Sequence, residues 1–165
     1  MSVLPVLKWP DPRLAQVCAP VGDVTDLRDV VADMFETMYA APGRGLAGPQ
    51  VGVMARVFVM DAGWKEGAKT PLACINPEIL VRSEEMADGP EGCLSVPGVT
   101  AEVARHRAIT LAYTDLDGVR HEARMTGAAA IIAQHEYDHL DGVMHFDRLG
   151  AAERAAVLAE YEALA

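Results

Sequence analysis

Leu27, Val30, Val31, Met34, Phe35 and Met38 fall at i, i+3, i+4, i+7, i+8 and i+11, a recurrence that gathers them on one face of an α-helix. Thr25 stands where it can cap that helix, and Pro42-Gly43 stops it. From Arg56 to Met125 the period shortens. Residues 57–60, 72–75, 78–81 and 107–113 are short runs rich in apolar and β-branched side chains, and Ile109, Leu111 and Tyr113 alternate. Asp115-Leu116-Asp117-Gly118 turns the chain back into residues 119–124 as a hairpin. The middle of the chain therefore reads as mostly antiparallel sheet.

A second helical period follows Thr126, a possible cap, through Ala128, Ile131, Ile132, His135 and His139, with Gly142 placed to close it. Val157, Leu158, Tyr161 and Leu164 share one side of a last Ala-rich stretch, 151–164, which predicts a terminal helix. Helices segregated around antiparallel strands define an α+β fold. The expected arrangement is mostly antiparallel sheets packed around the histidine-bearing helix, with an N-terminal amphipathic helix and a C-terminal helix. No repeat, low-complexity tract or linker divides the chain, so residues 1–165 read as a single domain.

Composition narrows the function classes. Half the residues are hydrophobic (51%), which excludes a disordered chain. Fourteen Lys and Arg against 24 Asp and Glu give a net charge of −10, which opposes a phosphate backbone or an anionic membrane surface. No stable nucleic-acid binding is expected. The longest stretch free of ionisable Lys, Arg, Asp, Glu and His runs only from Gly45 to Ala55 and contains glycines and a proline, so no membrane span is expected. The first ten residues lack the pattern of an export signal, and a cytoplasmic location is expected. Cys18, Cys74 and Cys93 form an odd, widely spaced set that reads as reduced thiols, with Cys18 and Cys74 as small buried hydrophobes.

The second helix carries the chemistry. His135-Glu136-Tyr137-Asp138-His139 matches H-E-x-x-H, in which two imidazoles four residues apart share a helix face and can hold one ion. The glutamate between them takes a proton from a water whose acidity the ion raises. Ala128, Ile131 and Ile132 precede the histidines on the same face, so the imidazoles should point inward, where they need a partner. A catalytic ion wants a third protein ligand. One candidate is Cys93, in the polar, turn-like run Glu91-Gly92-Cys93-Leu94-Ser95. The other is His145, because residues 135–145 also satisfy H-E-x-x-H-x-x-G-x-x-H, the signature of metzincin endopeptidases. Only 20 residues follow His145, which leaves little chain for the Met-turn those proteases need, and the simpler reading is a partly exposed histidine.

Three separated segments now agree: Gly43-Arg44-Gly45-Leu46-Ala47-Gly48-Pro49-Gln50, Glu91-Gly92-Cys93-Leu94-Ser95, and Gln134-His135-Glu136-Tyr137-Asp138-His139-Leu140. Together they resemble the peptide deformylases, whose motifs are G-x-G-L-A-A-x-Q, E-G-C-L-S and Q-H-E-x-D-H-L. Ile75-Asn76-Pro77-Glu78 and Asp147-Arg148-Leu149 extend the likeness over nearly the whole chain. The resemblance implies hydrolysis of the N-formyl group from the initiator methionine of nascent polypeptides, with release of formate. It implies Cys93, His135 and His139 as ligands of one divalent metal, Fe²⁺ in many members and replaceable by Zn²⁺, Ni²⁺ or Co²⁺; a thiolate and two imidazoles suit these ions and not Mg²⁺ or Ca²⁺. Glu136 is the implied general base and acid, and the Gln50 side-chain amide and the Leu94 backbone N–H the implied donors to the formyl oxygen.

Gly43, Arg44, Gly45, Ala128 and Ile131 are expected around the substrate. Several positions depart from the family pattern. Gly48 replaces an alanine, Arg44 an aliphatic residue and Ala128 a leucine, changes expected to alter the methionine pocket. Thr100 stands where some members use an arginine toward the peptide, and His145 where an aromatic or aliphatic residue is usual. The implied partners are N-formylmethionyl peptides, with at most transient ribosome contact because residues 151–165 set Arg154 against three glutamates, and a monomer is expected. Two alternatives remain open here: a catalytically weakened paralogue that binds peptide N-termini, and a metzincin-like endopeptidase.

Overall fold

The run Val57-Phe58-Val59-Met60-Asp61 is buried at every position because each face of its strand meets a different helix. In the computed structural model, which describes residues 2–164, seven strands and three α-helices follow the α+β order. The strands are β1 (Gly45–Ala47), β2 (Val57–Asp61), β3 (Pro71–Arg82), β4 (Met86–Cys93), β5 (Val96–His106), β6 (Ala108–Thr114) and β7 (Arg120–Thr126). The helices are α1 (Arg28–Ala40), α2 (Gly127–Leu140) and α3 (Ala151–Ala163). The two terminal residues of the expected 1–165 domain lie outside the described residues.

A five-stranded antiparallel sheet has the order β1-β2-β3-β6-β7, and β4 and β5 pair as a separate two-stranded ribbon. Val57 and Val59 face α1, packing with Val31, Met34 and Met38. Phe58 and Met60 point the other way, into a core with Leu111 of β6 and Ile132, Ala133 and Leu140 of α2. The period of two thus turns an unbroken apolar strand into two cores. Each fully buried Val, Leu or Met contributes about 1.5–3 kcal/mol. A third cluster of Leu14, Val96, Val99 and Phe146 lies under Trp9 and the Val157, Leu158 and Tyr161 face of α3.

Several local expectations change. Thr25 lies in a short 3₁₀ turn, Val24–Leu27, capped by Asp23, whose carboxylate accepts from the Thr25 N–H at 2.9 Å; α1 begins only at Arg28. Thr126 occupies the N-cap position of α2 without a side-chain hydrogen bond. The two expected runs 72–75 and 78–81 are one strand, β3, bent by register shifts around Asn76, which adopts φ +48°. Leu164, expected on the packed side of the terminal helix, is exposed. β1 and the β4/β5 ribbon are new relative to the sequence reading. Gly142 does close α2, at φ +72°, with its α-carbon so near the Ala15 backbone that a β-carbon would lie 2.6 Å from it.

Candidate metal centre and active-site cleft

α2 is buried on most of its circumference, carrying Gln134, His135, Glu136, Asp138, His139 and Leu140 out of solvent. Hydrogen bonds fix it at both ends of its site. The Gln134 amide accepts from the His106 N–H at 3.1 Å and donates to the His106 carbonyl at 2.8 Å. At the other end the Leu140 carbonyl accepts from the Cys18 N–H at 2.8 Å and the Arg56 guanidinium at 3.0 Å. The histidines are therefore presented from a fixed rod.

β4 delivers the thiol. Along its last residues Glu91 and Cys93 are buried while Gly92 between them is exposed, so both side chains face α2. Cys93 Sγ lies 3.5 Å from His139 Nε2, and His139 Nε2 lies 3.2 Å from His135 Nε2. The three ligand atoms fall within 4.8 Å of one another, all buried. Two nitrogens on a tetrahedral zinc-sized ion would lie about 3.3 Å apart, and a nitrogen and a sulfur about 3.6 Å. His135 Nδ1 bonds Glu91 Oε1 at 2.8 Å, which puts the proton on that nitrogen and leaves the Nε2 lone pair facing the thiol. The donor set and its spacing fit one divalent transition metal.

A buried ion-pair chain stands behind these ligands. Arg105 donates to both Glu91 oxygens, at 2.8 and 2.9 Å, and to Asp138 at 2.6 Å; Arg148 grips Asp138 from the other side at 2.6 and 2.9 Å. Burial pushes the Glu91 carboxyl up, but its bonds from Arg105 and His135 outweigh that and hold it at about 2. Burial also drives Glu136, which Arg105 does not touch, up to about 7, and its Oε1 has no hydrogen-bond partner. His139 is held well below the usual histidine range by burial and the neighbouring His135. Sequence reasoning misses Arg105. Its signal is the period-two run Val99, Ala101, Val103, Arg105, which puts a guanidinium on an inward face where only a carboxylate partner could be tolerated.

His139 is fully buried, and in front of it Cys93 and His135 of the cluster, with Glu136, lie at the floor of a cleft of about 610 Å³, a size typical of small-ligand sites. Gly43, Arg44, Gly45, Gln50, Leu94 and Ile131 all line it with Cys93, His135 and Glu136. Gln50 is set by the Ala47 N–H on its Oε1 at 3.0 Å, with Nε2 directed at Ser95 Oγ, 3.1 Å away. A β-carbon at Gly45 would fall 2.5 Å from Glu136 Oε2, and one at Gly43 would fall 3.0 Å from Leu94. The glycines thus let the loop close on both residues.

Other expected positions are corrected. Ala128 shares the histidines' face of α2, yet it is exposed and does not line the cleft, because seven residues of helix carry it about 10 Å along the axis from His135. Gly48 faces backbone instead of substrate; a β-carbon there would lie 2.5 Å from the Val53 carbonyl oxygen. Thr100 is exposed outside the cleft. Cys93 is the buried last residue of β4, and the turn expected of its run is confined to Leu94-Ser95, across which Cys93 pairs with Val96. His145 is buried as well, stacked edge-on to His135 at 5.7 Å with Nδ1 accepting from the Phe146 N–H at 2.8 Å. It contributes nothing to the ligand cluster, which removes the basis for a metzincin-type site.

The polypeptide deformylase family model matches residues 3–155. The chain belongs to the polypeptide deformylase family. It is 47% identical over 165 residues to a peptide deformylase of Alkalilimnicola ehrlichii, covering 99% of this chain and 92% of that one. A crystal structure of peptide deformylase from Ehrlichia chaffeensis in complex with actinonin superposes with a TM-score of 0.92 at 37% identity, covering 99% of this chain and 98% of that one. The Thermus thermophilus peptide deformylase gives 0.91 at 38% identity, covering 98% and 94%. With the Cys–His–His cluster, this membership makes the chain a metal-dependent deformylase that removes N-formyl groups by hydrolysis. Among the described residues no helix is long and apolar enough to cross a membrane.

Proposed function

We propose that Cys93, His135 and His139 hold a single ferrous ion and that Glu136, Gln50 and Leu94 carry out the deformylation around it. The observation that carries this reading is the convergence of three buried soft and borderline donors beside one unpartnered carboxylate oxygen at the floor of a cleft. An ion bound there would supply Lewis acidity and bring the pKa of a water down to about 7. Iron is the ion implied by the resemblance; the same donors suit zinc, nickel or cobalt.

Glu136 Oε1 takes a proton from the attacking water and returns it to the leaving amine nitrogen, so formate and a free N-terminus result. The Gln50 Nε2 donates to the formyl oxygen as charge builds on it, joined by the Leu94 N–H. Because Ala47 already holds the Gln50 carbonyl end, this donor needs no reorientation during the reaction. Arg44 and the flanking glycines border the peptide and Ile131 walls the cleft. All of these residues come from one chain, which supports a monomeric enzyme, and a cytoplasmic place beside protein synthesis suits its substrate.

Formate release from a short N-formylmethionyl peptide by anaerobically Fe²⁺-loaded protein, run beside Glu136→Ala, tests the assignment. Activity in the parent and a loss of at least about a hundredfold in the variant, with one metal retained in each, is the expected result. Equal activity in the two would remove Glu136 from the mechanism.

A further inference from the structure

Cations are scarce in this chain and most are spoken for: eight of its eleven arginines lie within 4.0 Å of a carboxylate. Among the described residues, six of the 14 Lys and Arg have no such partner, and three of those six, Lys8, Arg44 and Lys65, line the one cleft that holds the metal centre. All three are exposed, whereas the floor residues are buried. Among the described residues, the only carboxylates lining the cleft are Glu91, bound to Arg105 and His135, and Glu136. The mouth is thus positive on a molecule of net charge −10.

Each cation is held there by the architecture. The Leu7 N–H donates to the Gln50 carbonyl at 2.7 Å and the Trp9 N–H to the Ser95 carbonyl at 2.9 Å, so Lys8 between them is pinned beside two cleft loops. The Trp64 indole donates to the Gly43 carbonyl at 2.9 Å, which brings Lys65 to the same loop as Arg44. Arg44 itself is one residue from Gly45, and Gly45 touches Glu136. A peptide reacting at the floor advances about 3.3 Å per residue, so its first few residues beyond the methionine leave through this ring.

We infer that the cleft mouth selects formylated peptides carrying carboxylate side chains in the residues directly after the formylmethionine. The inference rests on the deformylase reading and adds to it a substrate preference. Low-dielectric walls focus the field of unpaired charges, so acidic segments are drawn in and basic ones resisted. Formylation strengthens the effect, because the formylated N-terminus carries no charge. Hydrolysis creates an ammonium, since α-amines titrate near about 7.7–8.0, and the product is then less well held.

The test compares kcat/KM on three C-terminally amidated peptides: formyl-Met-Ala-Asp-Asp, formyl-Met-Ala-Ser-Ser and formyl-Met-Ala-Lys-Lys. At low salt the acidic peptide should exceed the basic one by about tenfold, chiefly through KM, and the gap should close in about 1 M salt as the field is screened. In Lys8→Glu/Lys65→Glu protein the order of the acidic and basic peptides should weaken or invert. Equal kcat/KM for the charged peptides at low salt, with the neutral peptide hydrolysed, would overturn the inference alone. Failure to hydrolyse the neutral peptide by metal-loaded protein would instead overturn the deformylase reading, and the inference with it.

Discussion

Gly45 has no space for a side chain, because the Glu136 carboxylate occupies the place a β-carbon would take, 2.5 Å from Oε2. Gly45→Ala should therefore displace Glu136 without disturbing the metal ligands. Formate release should fall at least about tenfold while metal content, measured on the purified variant, stays at one ion. Arg105 bears a different burden. Removing it as Arg105→Met strips Glu91 of its bidentate partner inside the protein, and breaking a buried pair costs about 3–5 kcal/mol. Urea unfolding should show a loss of that order. Glu91→Gln keeps the shape but weakens the acceptor on His135 Nδ1, and metal affinity measured by chelator competition should drop about 10- to 100-fold.

At the scale of elements, β2 is joined to α1 by a polar knot as well as by its valines. The buried Asp61 carboxylate at the end of β2 accepts from the Tyr39 hydroxyl of α1 at 2.5 Å, and from the Gly63, Trp64 and Thr70 N–H groups at 2.9–3.1 Å. Burial raises this carboxyl, but the bonds from Tyr39, Thr70 and Gly63 outweigh it and the group lies below the usual aspartate range. A carboxylate depressed in the folded state stabilises above its unfolded pKa, about 3.9, and that contribution is lost as pH falls through the lower folded value. Asp61→Asn should thus be less stable than the parent at pH 7 by about 1–3 kcal/mol. The difference should shrink below about pH 4, as thermal melts across pH would show. Gly142 limits α2 in a similar local way: Gly142→Ala would force a β-carbon to within 2.6 Å of the Ala15 backbone, and a lowered melting temperature is expected.

For the whole molecule, the metal centre joins pieces that are far apart in sequence: Cys93 from the two-stranded ribbon, His135 and His139 from the helix behind the five-stranded sheet. Binding an ion between them should stabilise the folded state by about 4 kcal/mol when free ion exceeds its dissociation constant a thousandfold. Chelation should accordingly lower the melting temperature as well as abolish activity, and Fe²⁺ or Zn²⁺ should restore the melt. A chelator-treated protein that melts where the loaded protein does would show that the centre does not tie the ribbon to α2.

Local pattern was enough for the elements whose neighbours agree with them. The α1 face, the β6/β7 hairpin and the helix carrying His135 and His139 were legible because their periods match the burial they receive. The three motifs also pointed, by resemblance, to the residues of the buried Cys93–His135–His139 cluster. What the pattern could not give was the ribbon of β4 and β5, because Asp88-Gly89-Pro90-Glu91-Gly92 reads as turn. Those residues hold a strand only because β5 pairs with them along their length and α2 takes up Glu91 and Cys93. Nor could it give Arg105 a role, bury His145, or move Ala128 out of the cleft. Each depends on which surface lies opposite, and that is decided when sheet, ribbon and α2 close on one another. Composition fixed the charge of −10, while the tertiary structure decided that three of the six Lys and Arg without a carboxylate partner among the described residues would lie at the cleft mouth.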